Sequence, residues 1–119
     1  MVGQAIMELI AVNGSDTRRI NHALKVLGFA RAIAEAEGLS GDALTVVELS
    51  AVLHDIAIRR CEEKYGSAGG KLQEKEGPAI ALPILQRCGA SDAVADRVAC
   101  IIARHHTYDA IDGLDYQII

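Results

Sequence analysis

The chain has 119 residues, half of them hydrophobic but only 3% aromatic, and twelve basic residues stand against sixteen acidic ones for a net charge of -4. That length predicts one domain over residues 1–119. The acidic balance disfavours a non-specific nucleic-acid binder, and the shortage of aromatics argues against a base-stacking platform, so no nucleic-acid polymer is expected as a partner.

No apolar run approaches the roughly 20 residues that cross a bilayer. The N-terminus lacks the basic region and apolar stretch of a signal peptide. A cytoplasmic protein with no membrane partner is therefore expected. Cys61, Cys88 and Cys100 are odd in number and far apart, with no C-x-x-C. They read as reduced thiols that pack as small hydrophobes.

Apolar spacing is helical almost throughout. A first helix is predicted from Val2 to Val12, ended by Asn13-Gly14-Ser15. Asp16 is placed to cap a second, from Thr17 to Glu37, with an apolar stripe of Ile20, Leu24, Leu27 and Ile33. Gly38 is its expected stop. A third helix, from Ala43 to about Ile58, is apolar nearly all round and belongs in the centre of the domain. The polar stretch Arg59 to Lys64 follows, then a loop at Gly66 to Gly70. Pro78 suits the first turn of a fourth helix, which Pro83 should kink or break. Gly89 ends it. Ser91 or Asp92 starts a fifth, running to about His106. No strand signal appears. The fold class is all-α, a bundle of five or more helices.

The four histidines all fall at helix positions. His54-Asp55 lies at the end of the most apolar helix, where an unsatisfied polar pair is costly. Taken alone it reads as a polar helix end, with Asp55 paired to an arginine. Alternatively, an imidazole and a carboxylate together suit a divalent transition metal. His22 lies beside the apolar face of the second helix, either as a satisfied partly buried side chain or as a third ligand. His105-His106 ends the fifth helix. One of them serves as a C-terminal cation, but adjacent helical residues point about 100° apart, and two in a row ask for more explanation. As a set, the four favour a metal or phosphate site over four unrelated structural histidines.

This order, His22 and then His54-Asp55 about thirty residues later, resembles the HD-domain metal-dependent phosphohydrolases. Arg18-Arg19-Ile20-Asn21-His22 is similar to the start of that family's first ligand helix. Ala51-Val52-Leu53-His54-Asp55-Ile56 is similar to its central motif. Glu76-Gly77-Pro78-Ala79-Ile80-Ala81 with Ile84-Leu85, and Ile101-Ile102-Ala103-Arg104-His105-His106, resemble its later segments. The likeness runs from about Asp16 to Ile119.

The resemblance implies a helical fold holding a divalent metal ion (Mn, Mg, Fe, Ni or Zn) through His22, His54, Asp55 and a final Asp. It implies hydrolysis of a small phosphate ester or nucleotide. His105 and His106 are then the candidates for proton transfer or phosphate contacts. Arg18, Lys71 and Arg104 are candidate phosphate contacts, weighed against solvated surface positions. Asp115 precedes the apolar run that the last family Asp usually follows. The chain is therefore expected to lack the family's C-terminal helices, or to use Asp109, Asp112 or Asp115 instead. Gln73 stands where two-metal relatives carry a histidine, which speaks for one metal. The other reading is a catalytically silent helical module that binds a metal or a nucleotide.

Gly66-Ser67-Ala68-Gly69-Gly70-Lys71 is no phosphate loop. Its spacing is one short of G-x-x-x-x-G-K, Leu72 replaces the Ser/Thr, and no strand precedes it.

Overall fold

Thirteen residues from Gly41 to Leu53 build the central helix, because nearly every direction around it is apolar. Val46, Val47, Leu49, Ser50, Ala51, Val52 and Leu53 are all buried. The computed structural model describes residues 1–66 and 70–104. These form six helices: α1 (Val2–Asn13), α2 (Thr17–Ala36), α3 (Gly41–Leu53), α4 (Ile58–Tyr65), α5 (Gly70–Arg87) and α6 (Asp92–Arg104). No strand occurs among the described residues, so the all-α class holds. No helix among them is long and apolar enough to cross a membrane.

α3 packs against α1, α2 and α6, while α5 pairs with α6. The main core joins Leu9 of α1, Leu49 and Leu53 of α3, Ile84 and Leu85 of α5, and Val98, Ile101 and Ile102 of α6. Burying each such side chain contributes about 1.5–3 kcal/mol. Without tryptophan and with a single Phe, which is exposed, the hydrophobic core among the described residues is built from aliphatic side chains. Cys61 is buried, Cys88 and Cys100 are partly buried, and all three are free thiols.

Local signals place most boundaries. The Asp16 carboxylate accepts the Arg19 amide and caps α2. Ser91 Oγ accepts the Val94 amide at the head of α6. α2 and α5 close alike: the Leu39 amide reaches Ala34 O and the Gly38 amide Glu35 O, while Ala90 reaches Leu85 O and Gly89 reaches Gln86 O. Both glycines have φ near +80°, the left-handed turn that this Schellman closure requires and that side chains disfavour.

Four expectations are corrected; first, the helix expected to open at Pro78 begins at Gly70. The buried face of α2 is Ala23, Ala30 and Ala34, whereas Leu24 and Ile33 are exposed. Ala30 and Ala34 meet Val47 and Ala51 of α3. Small residues on both sides let the two helices approach closely, and that closeness outweighs the larger area Leu24 or Ile33 would bury. The third helix stops at Leu53 rather than Ile58, for a reason given below. The predicted break at Pro83 is absent: α5 runs unbroken through both Pro78 and Pro83. Each proline removes one ladder hydrogen bond, at a cost of about 3 kcal/mol. Burial of Ala81, Ile84 and Leu85 between them and beyond holds the helix together.

Candidate metal centre

His54 sits at the C-cap of α3, and its ring helps end that helix. The His54 Nδ1–H donates to the Ala51 carbonyl at 2.7 Å, an acceptor that a continuing helix gives to the amide of residue 55. The chain then turns tightly, with the Ile56 amide on Leu53 O and the Ile58 amide on Asp55 O, before α4 begins. This turn brings His54 Nε2 to 3.0 Å from Asp55 Oδ2. From the neighbouring α2, His22 Nε2 approaches the same oxygen at 3.6 Å. The two rings lie 5.7 Å apart, tilted by 53°. One ligand atom from each of the three residues falls within 4.8 Å of the others.

The donor chemistry fits a cation. With Nδ1 carrying the hydrogen, Nε2 of a neutral His54 presents a lone pair to a carboxylate oxygen. Two acceptors at hydrogen-bond distance require a positive charge between them, either a proton or a metal ion. In the metal-free protein a proton can take that place. Burial pushes the His54 pKa down, but the hydrogen bond and charge of Asp55, helped by the Ala51 carbonyl, leave it raised above its ordinary 6.5. The Ala51 contact also fixes ring orientation and tautomer, as an outer partner does for a ligating histidine. His54 is nearly buried at 8% exposure, while His22 has 56% of its side chain in solvent. The set is thus anchored on one side and open on the other.

A cavity of about 290 Å³ adjoins it. His22 and Asp55 line it with Leu9, Val52 and Ile58, and with Asn13, Asp16, Arg18 and Arg19 as its other polar walls. Arg19 is held by Asp16 and by Glu62 of α4. Asn13 is buried at the end of α1, its Nδ2 donating to Leu9 O. Sequence reasoning assigned Asn13 only to a helix end and Asp16 only to a cap, and it did not single out Arg19 as a wall of the site. The Asp16-x-x-Arg19 spacing was the one signal for that wall. Nothing local marked Asn13.

Compared with known families, residues 19–115 match the HD domain. The chain belongs to the HD-domain family. Comparisons with curated proteins and with solved structures gave no match. The HD match takes in His22, His54 and Asp55, and Arg18 stands one residue before it. Membership places the chain in a superfamily of metal-dependent phosphohydrolases. Such domains act on small phosphate esters and bind divalent metals, and the His22, His54 and Asp55 cluster is a group that could hold one.

Of the other residues singled out in the sequence, Arg18 lines the cavity. Lys71 lies exposed in the first turn of α5 and is not among the cavity's walls. Arg104 ends α6, with its side chain outside the described part. His105 and His106 lie outside the described residues, as do Asp109, Asp112 and Asp115.

Proposed function

We propose that the chain is a metal-dependent phosphohydrolase acting on a small phosphate ester, with His22, His54 and Asp55 as ligands to one divalent cation. The observation that carries this reading is the convergence of three ligand atoms within 4.8 Å, in the order the HD family uses. When bound, a cation there lowers the pKa of water and offsets charge on the phosphoryl group. Two imidazoles and a carboxylate suit Mn, Fe, Ni or Zn, with Mg the hardest of the metals considered.

The chain's own residues then have separate tasks. Asp55 supplies negative charge between the two imidazoles. His54, pinned by Ala51, sets the direction of approach. Arg18 is the phosphate contact, a forked donor on the cavity wall. His105 and His106 are assigned proton transfer on the family resemblance, and Lys71 and Arg104 further phosphate contacts on the same basis. The chain is taken as one HD-like domain.

Metal analysis of the purified protein, paired with a generic phosphoester assay, tests this. His54→Ala and Asp55→Ala are expected to lose both the metal and the hydrolysis. Full metal content and full activity in either variant would sink the reading. Metal bound without hydrolysis in the parent chain supports the silent binding module instead.

A further inference from the structure

Four cations stand on α2, and the fold treats them differently. Arg19 is engaged by Asp16 and Glu62, and Arg31 pairs with Glu35 at 3.4 Å. Arg18 and Lys25 make no ion pair or hydrogen bond among the described residues. These two share one side of the helix with Asn21 and His22, since positions i, i+3, i+4 and i+7 face together.

Arg18, Asn21, His22 and Lys25 line a hollow of about 320 Å³ with no carboxylate in its wall. Arg18 and His22 also line the cavity beside Asp55. The hollow therefore abuts the metal ligands on the open side of the set. A chain of net charge -4 keeps two cations and an amide donor there, with neither cation in an ion pair among the described residues. Lys25 lies only about 4.5 Å along the helix axis from His22, three residues at 1.5 Å each. That spacing fits two anionic groups joined closely better than one phosphate with a remote charge.

We propose that Arg18, Asn21 and Lys25 form a second anion subsite beside the metal ligands, and that the substrates are phosphate compounds bearing a second phosphoryl group adjacent to the one attacked. The inference rests on the phosphohydrolase reading for its chemistry. Arg18 offers a fork to the shared oxygens, Asn21 an amide donor, and Lys25 a point charge for the second group.

The test uses metal-free protein, so that chelation plays no part. Calorimetric titration with methylenebisphosphonate is compared with titration by inorganic phosphate. The bisphosphonate is expected to bind more tightly by up to about fivefold, the upper end for an exposed charge pair. Lys25→Gln should abolish that advantage, Lys25→Arg should retain it, and Arg31→Gln should leave it intact. Unchanged bisphosphonate binding in Lys25→Gln overturns the proposal. So does an equal loss in Arg31→Gln, which would mean diffuse charge attraction only. Binding through Lys25 without any phosphoester hydrolysis upholds the subsite and overturns the hydrolase reading. Hydrolysis of monoesters with no Lys25-dependent preference for a bisphosphate overturns the subsite alone.

Discussion

Asp55 Oδ2 lies between two imidazole nitrogens, and this one atom governs the pH behaviour of the site. In metal-free protein the raised His54 pKa means that a proton occupies the contact over a wider pH range than in a free histidine. A metal must displace that proton. Apparent metal affinity is therefore expected to rise as pH increases through 6.5 and beyond, levelling only above the raised value. Manganese titrations across this range check it, and a flat profile would exclude competition at His54. For metal-free stability the sign is opposite. A folded pKa above the unfolded one stabilises the protein below the ordinary value, and that contribution is lost as pH rises through the raised value.

Helix packing makes two glycines behave in opposite ways. A Cβ on Gly77 of α5 would stand 2.6 Å from Ile102 Cγ2, a fully buried side chain of α6. Gly77→Ala forces α5 and α6 apart, with an overpacking cost of about 1–3 kcal/mol that exceeds its gain in helix propensity. Gly28 in α2 is exposed with nothing within 4 Å of such a Cβ. Gly28→Ala is expected to stabilise by about 0.5–1 kcal/mol. Urea denaturation of the two variants should give shifts of opposite sign.

Two carboxylates tie elements together. Glu76 of α5 accepts from the Tyr65 hydroxyl at 2.6 Å and from Lys64 Nζ at 3.0 Å, both on α4. These partners, Tyr65 first, hold its pKa below the usual 4.5. Glu8 of α1 accepts two bonds from Arg87 of α5, each 2.9 Å, and is likewise lowered. Because the folded values are depressed, both contributions are present above pH 4.5 and fade as pH falls through them. Melting temperature is expected to drop on acidification below that value. The drop should be shallower in Glu8→Gln and in Glu76→Gln, which have already lost the charge.

Metal binding should reach the whole molecule, because the proposed ligands come from separate elements. His22 belongs to α2, and His54 and Asp55 to the turn between α3 and α4. An ion that binds only the folded arrangement stabilises it by mass action, about 2.7 kcal/mol at a hundredfold excess over Kd. Added manganese is expected to raise the melting temperature by several degrees, and Asp55→Ala to abolish the rise. An equal rise in that variant would place the ion elsewhere.

Much of this was legible in the residues. Aliphatic spacing, the Asp16 cap and the stops at Gly38 and Gly89 are local signals, so a helical bundle and most helix ends follow from sequence alone. The ordered His22 and His54-Asp55 named the family and the candidate ligand set, because a ligating group must be of the right chemical type whatever holds it. Tertiary structure decided what depends on two segments meeting. Close approach of α2 to α3 turned alanines inward and left Leu24 and Ile33 exposed, against expectation. The His54 ring took a backbone carbonyl where α3 ends, five residues earlier than periodicity implied. Packing against α6 carried α5 through two prolines. Pairing across elements sorted the α2 cations, engaging Arg19 and leaving Arg18 and Lys25 beside the site. Composition and order set the chemistry available to this chain, and distances between elements, which no local pattern encodes, set where that chemistry is gathered.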